Sequence, residues 1–298
     1  MKSWIGMVIG LVWGGAALAA HAHPAVQAAT VTRWTPGAIS SAQFESHPAF
    51  DPRSGDLYFV RSAPDFSGWR LFVAPCGDAG WGAPAEVPFA GDGVEADPWF
   101  TPDGRALYFI STRTTDGEHH DDLDLWKVTR DAAGAWGVPR RLPEPLNSRG
   151  REWFPRVGAD GWLWFGSNRE GGVGKTDIWR AHEDSPGKWT VVNAGPAING
   201  DGDDYEAAMS ADGMRLVIMT NEALYESKLA GVDWSPRVKL PAQVNQNAGE
   251  VGPLLSPSGR SLLFARDTHE PLSGELFLWR TGKAENWPPV CARPKHSP

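Results

Sequence analysis

Apolar and polar positions alternate along this chain in short runs, and the runs return in the same order five times. Each copy opens on an acid, followed three residues later by Pro in four copies and Ala in one. The acids are Glu45, Glu95, Glu152, Asp204 and Glu250. An apolar position (Phe50, Phe100, Val157, Met209, Leu255) closes this first strand. A turn follows with Gly55, Gly104, Gly161, Gly213 or Gly259, preceded by Asp in three copies and standing in a Ser-Gly pair in the other two. Such turns need a residue that tolerates positive φ, and Asp or Ser can bond the turn backbone. The second strand then alternates with period two, as in Leu57-Tyr58-Phe59 and Leu107-Tyr108-Phe109.

A third strand carries an apolar or aromatic pair: Leu71-Phe72, Leu125-Trp126, Ile178-Trp179, Leu224-Tyr225 and Leu276-Phe277. A fourth begins near Trp81, Trp136, Trp189, Trp234 and Trp287. Four strands per unit, repeated at intervals of about fifty residues, predict an all-β chain folded as a β-propeller of four-stranded blades. Counting first strands gives five blades, with six as the alternative. Trp34-Thr35-Pro36 repeats the fourth-strand phrase ahead of the first unit, so an N-terminal strand is expected to complete the last blade. Trp287 competes for that slot.

The termini and the charge refine this picture. Lys2, an uncharged apolar stretch from Trp4 to Ala20 and the small-residue site Ala20-His21-Ala22 read as a secretory signal over residues 1–22. Residues 30–291 then form one propeller domain, with repeats starting near 45, 95, 152, 204 and 250. No later apolar run is long enough to cross a bilayer. A net charge of −8 without basic stripes argues against nucleic acid as a partner. An oxidising compartment would permit the two cysteines, Cys76 and Cys291, to join across the ring closure; two free thiols are the other reading.

Two strings resemble the WD-like repeats of TolB-type propellers: Glu95…Pro98-Trp-Phe-Thr-Pro-Asp103-Gly104…Leu107-Tyr-Phe109 and Ser167-Asn-Arg-Glu-Gly-Gly172…Asp177-Ile-Trp179. The phrase Trp136-Gly-Val-Pro139…Leu142-Pro…Leu146-Asn147…Glu152 resembles the inter-blade segment of that class. The resemblance spans residues 30 to 290 and covers the propeller alone, since the small domain preceding it in TolB has no counterpart here. It implies a periplasmic or secreted module that binds an envelope protein or a small ligand, without a cofactor.

Candidate chemistry starts with the repeated acids. By analogy with other propellers, Glu45, Glu95, Glu152, Asp204 and Glu250 surround one channel mouth, with His47 beside them. Such a ring could attract a cation, an amine or a basic peptide. It could also be structural, each acid pairing with an arginine of its blade. Arg113 and Arg169 share one register after the second strand, while Arg61 and Arg266 lie two residues earlier. Repetition in every blade is what a fold requirement produces, so the fold has first claim on the acids.

Departures from the repeat are the better guide to function. The unequal loops are Arg61–Trp69, Thr112–Asp124, Ser167–Lys175 and Ala265–Glu275. The second holds Glu118-His119-His120-Asp121-Asp122, which reads as a solvated acidic loop rather than a metal site, because neighbours in sequence rarely all reach one ion. Asp201-Gly202-Asp203-Asp204 lacks the remaining positions of a calcium loop. Gly171-Gly172-Val173-Gly174-Lys175-Thr176 joins two strands and lacks a first glycine at Arg169, which excludes a phosphate loop. No nucleophile elbow or Cys–His pair indicates an enzyme. The other functional class left open is a carbohydrate-active hydrolase using ring carboxylates.

Overall fold

A computed structural model describes residues 29–115, 117, 122–246, 249–269, 273–282 and 285–291. The signal segment and residues 118–121 of the acidic loop lie outside the described residues. The strands group into antiparallel units, each opened by one of the repeated acids. The first unit holds Phe44–Phe50, Leu57–Ser62, Arg70–Ala74 and Ala85–Glu86. The second holds Glu95–Phe100, Ala106–Ser111, Asp124–Thr129 and Arg140–Arg141. The third is Glu152–Val157, Leu163–Ser167, Asp177–Ser185 and Lys188–Asn193. The fourth is Asp204–Met209, Arg215–Thr220, Leu224–Ala230 and Val238–Lys239. The last is Glu250–Leu255, Ser261–Asp267 and Gly274–Arg280.

The last unit is completed from the other end of the chain. Thr30–Arg33 pairs antiparallel with Gly274–Arg280, with Val31 opposite Trp279. The Trp34 amide then donates to the Leu276 carbonyl at 2.7 Å, as Leu142 does to Leu125 and Leu240 to Leu224. Trp34, not Trp287, therefore holds the fourth-strand position. Trp287 instead packs with Phe44, Leu263 and Leu276 at the junction of the last and first units. Arg33 also pairs with the buried Glu275, tying the added strand to its sheet. Innermost strands of successive units touch, and the last touches the first, so the units close a ring. At the closure Phe44 bridges Gly274, where a Cβ would sit 2.2 Å from the Phe44 ring. Cys76 and Cys291 form a disulfide over a Cα separation of 5.4 Å.

Local chemistry explains the repeats. All five turn glycines have positive φ, between 63° and 79°. The residue after each glycine donates its amide to the Asp or Ser before it, as Arg105 does to Asp103 at 3.0 Å and Arg260 to Ser258 at 3.2 Å. Both faces of the second strands are buried because each unit lies between two others. Leu262 and Phe264 pack toward Val217 and Leu224 of the preceding unit, whereas Leu263 and Ala265 pack toward Phe44 of the first.

Candidate functional site: the axial cavity

Each repeated acid stands at or near the start of an innermost strand and is at most 2% exposed. Each takes an arginine of its own unit. Arg61 reaches Glu45 at 2.8 Å, Arg169 reaches Glu152 at 3.1 Å and Arg266 reaches Glu250 at 3.1 Å. Arg113 and Arg237 pair likewise with Glu95 and Asp204. The same guanidinium donates to the carbonyl of Ile39, Phe89, Leu146, Ile198 or Val244 in the segment leading into the strand. The carboxylate accepts from the backbone of that segment, at Ser41, Gly91, Ser148, Gly200 or Gln246. Burial raises the Glu45, Glu95, Glu152 and Asp204 carboxyls, while the hydrogen bonds and arginines pull the other way. Each pair thus clamps the entering segment to its strand.

The two arginine registers have a simple origin. Arg61 and Arg266 lie directly across from Glu45 and Glu250. In the second and third units Ser111 and Ser167 occupy that position. Their hydroxyls accept from Arg113 and Arg169, which reach back over the intervening distance. Four of these arginines also lie over two aromatic rings each, for example Arg113 over Phe109 and Trp126. That contact adds cation–π attraction to the ion pair.

On the ring axis the innermost strands surround a cavity of about 460 Å3. This lies within the few-hundred-to-thousand range typical of small-molecule sites. Its lining draws on every unit: Val60, Phe66 and Trp69 from the first, Ile110 from the second, Trp153 and Phe154 from the third, Tyr205 from the fourth, Val251 from the last. Trp153 and Tyr205 meet edge to face at 5.5 Å, and Phe66 and Trp69 pack at a tilt, also at 5.5 Å. Arg151 is the cation among the lining residues and is exposed. Of the residues singled out in the sequence, His47 and Glu250 line this cavity. Glu45, Glu95, Glu152, Asp204, Arg113 and Arg169 are not among its walls; they lie within the blades.

The base of the cavity breaks the repeat. The residue two places beyond each acid is His47, Asp97, Phe154, Glu206 or Gly252. In four of these strands a bulge turns it into left-handed backbone, with φ of 48° at His47, 59° at Asp97, 50° at Phe154 and 61° at Gly252. That conformation costs a residue with a Cβ roughly 1–2 kcal/mol, and Gly252 allows His47 to pack against its bare Cα.

His47 and Asp97 are buried, and His47 Nε2 stands 3.8 Å from Asp97 Oδ1, beyond hydrogen-bonding distance. Nε2 has no hydrogen-bond partner among the described residues. The other ring nitrogen is 2.8 Å from the Ser46 hydroxyl, and the ring stacks on Phe154 at 5.1 Å. Asp97 Oδ2 accepts the Phe154 amide at 3.1 Å. Nearby, Arg156 pairs with the fully buried Glu206 and lies over Trp99 at 4.8 Å.

Burial, helped by the positive Arg156, lowers His47 to about 3, so the imidazole is neutral. Burial and the neighbouring Glu206 push Asp97 well above the carboxylate range. Burial raises Glu206 to about 7 against the pull of Arg156. Among the described residues no three of His, Cys, Asp and Glu are grouped to hold a metal ion.

The loops contribute unequally. Arg61–Trp69 supplies Phe66 and Trp69, and Thr112–Asp124 supplies Thr112 and Leu123. Ser167–Lys175 supplies no lining residue; its Val173 and Gly174 amides close instead on the Asp177 carboxylate. Asp203 is engaged by the Thr176 hydroxyl at 2.8 Å. Sequence reasoning missed Asp97, Arg156 and Glu206, and the aromatic walls Trp153, Phe154 and Tyr205. For all of these but Arg156 the available signal was the pair of positions just after each acid, which differ in every copy.

No protein-family model matches the sequence, and no curated protein matches it. Among solved structures the chain is similar to a TolB-designated protein of Agrobacterium tumefaciens, with a TM-score of 0.50 and 18% identity over 77% of this chain and 72% of that one. It is similar also to the α-L-arabinanase of Penicillium chrysogenum solved with arabinobiose, with a TM-score of 0.50 and 13% identity over 81% and 80% of the two chains. At such identities the likeness concerns the fold. With the closed ring of antiparallel units, it makes this protein a β-propeller.

Proposed function

We propose that this chain is a five-bladed, TolB-like binding propeller, exported to the cell envelope, whose ligand enters the axial cavity. The observation carrying this reading is one aromatic-walled cavity that gathers residues from all blades onto a polar base where His47 Nε2 has no hydrogen-bond partner among the described residues. Pockets of this size with an apolar lining and a few convergent polar groups are the usual form of a ligand site. The disulfide between Cys76 and Cys291 supports export, because such bonds persist in oxidising compartments. No helix of the described residues is long and apolar enough to cross a membrane.

Hydrolysis is the weaker reading, because each ring carboxylate is held by its own arginine and backbone amide. Thermal-shift screening of small molecules against the wild type and Val94→Trp, which fills the cavity from its wall, tests the proposal. Compounds that stabilise the wild type and not the variant are expected. Stabilisation of both alike, or of neither, contradicts it.

A further inference from the structure

We infer that the base of the axial cavity recognises a neutral hydroxyl group, held between His47 Nε2 and Asp97 Oδ1 at the buried end of an otherwise apolar or aromatic ligand. The inference rests on the ligand-binding reading above and deepens it. A gap of 3.8 Å between two polar atoms is too long for their own hydrogen bond. It leaves both able to turn toward a third atom in the cavity they line. Both residues are more than nine-tenths buried, so an unmet hydrogen bond is costly there.

A hydroxyl suits this base whichever way the imidazole is protonated. If the Ser46 hydroxyl donates to Nδ1, Nε2 carries the proton and the ligand oxygen accepts it, donating its own hydrogen to Asp97. If Nδ1 donates to Ser46, Nε2 is bare, and the ligand hydroxyl donates to it while accepting from protonated Asp97. A group that both donates and accepts serves either arrangement. A methyl group serves neither.

Ions fit poorly for separate reasons. An ammonium group would give up its hydration to enter a base walled by aromatic side chains, which costs more than a neutral hydroxyl gives up. A carboxylate would face Asp97 with Glu206 behind it, and Arg156 is already committed to Glu206. The walls around this base are Phe66, Trp69, Trp153, Phe154 and Val60, which suit an aromatic or aliphatic body.

Ligand-observed NMR at neutral pH, on the full chain without its signal segment, compares probes of one shape: benzyl alcohol, toluene, benzylamine and benzoate. Benzyl alcohol is expected to bind about tenfold tighter than toluene, the worth of one well-made buried hydrogen-bond pair, and tighter than either ion. In His47→Phe the ratio of alcohol to toluene affinity is expected to fall to about one; Phe154 already holds a phenyl group on the same left-handed backbone. Equal affinities for alcohol and toluene, or tighter binding of an ion, overturn the hydroxyl assignment while leaving the cavity a ligand site. Failure of every probe to bind overturns both readings.

Discussion

Arg237 donates to Asp204 and to the Ile198 carbonyl, although it comes from the fourth strand's approach rather than from the second strand. Arg61, Arg113, Arg169 and Arg266 reach the equivalent acid and carbonyl from the second strand. In the fourth unit Thr220 and Glu222 stand at the two positions where the other blades carry that arginine, and Thr220 lines the cavity. The contact survives a change in where the arginine comes from. It is the buried acid entering each blade that requires a cation.

Removing one member of such a pair should therefore cost stability. Glu152→Gln or Arg169→Met is expected to lower the unfolding free energy by about 3–5 kcal/mol, because the partner is left buried and uncompensated. Replacing both residues together by apolar ones should cost less than the two single changes summed. A double-mutant cycle by denaturant unfolding measures the difference, and strict additivity would show that the pair is not coupled.

The polar base should leave opposite marks on the pH dependence. Folded His47 takes a proton near pH 3 and the unfolded chain near 6.5. Its contribution is complete above 6.5 and is lost as the pH falls toward 3. Relative to His47→Phe, the wild type should lose about 2 kcal/mol on going from about pH 8 to about pH 5.

Glu206 runs the other way, with its folded value near 7 against an ordinary 4.5. The wild type should lose stability relative to Glu206→Gln as the pH rises through that window, by on the order of 2 kcal/mol. Urea midpoints across this range give both slopes. A Glu206→Gln profile parallel to wild type would mean that Glu206 titrates as an ordinary surface acid.

The Cys76–Cys291 bond staples the end of the chain to the first blade, across a sequence separation of 215 residues. Reduction, or Cys76→Ser with Cys291→Ser, should cost about 3–5 kcal/mol through the freedom restored to the unfolded chain. Calorimetry with and without reductant reads this directly, and identical melting in both would contradict it.

Gly252 tests how tightly the ring packs on its axis. A Cβ there would lie 2.8 Å from His47 Cα, on backbone at φ 61°. Gly252→Ala is expected to cost at least about 1 kcal/mol from the backbone alone, with the steric clash added. Wild-type stability in that variant would mean that the strands can separate freely at this point.

Much of the architecture was legible in the sequence because it repeats. Gly104, Leu107, Phe109 and Trp136 recur for reasons that act within one blade: turn geometry, alternation and packing. The ring acids were equally visible, and arginines in two registers pointed to partners for four of them; Arg237, the partner of Asp204, lies outside both registers. The N-terminal strand was legible through Trp34, yet its slot could not be told from that of Trp287, because only the closed ring decides which one pairs with Leu276. Asp97, Arg156 and Glu206 were hidden for the opposite reason. They stand on different blades, more than a hundred residues apart at the extremes, and are joined only by the axis. None of the three recurs as the same residue at its position in another copy, so the repeat did not draw attention to them.

The central claim is that ligands bind on this axis, at the non-repeating positions. Indole N–H resonances of the 15N-labelled protein during titration with benzyl alcohol test it most directly. Trp69 and Trp153, which line the cavity, should shift progressively, while Trp126 and Trp164, buried within the blades, stay in place. Shifts confined to tryptophans outside the cavity, or no shift at Trp69 and Trp153 at saturation, would contradict the account.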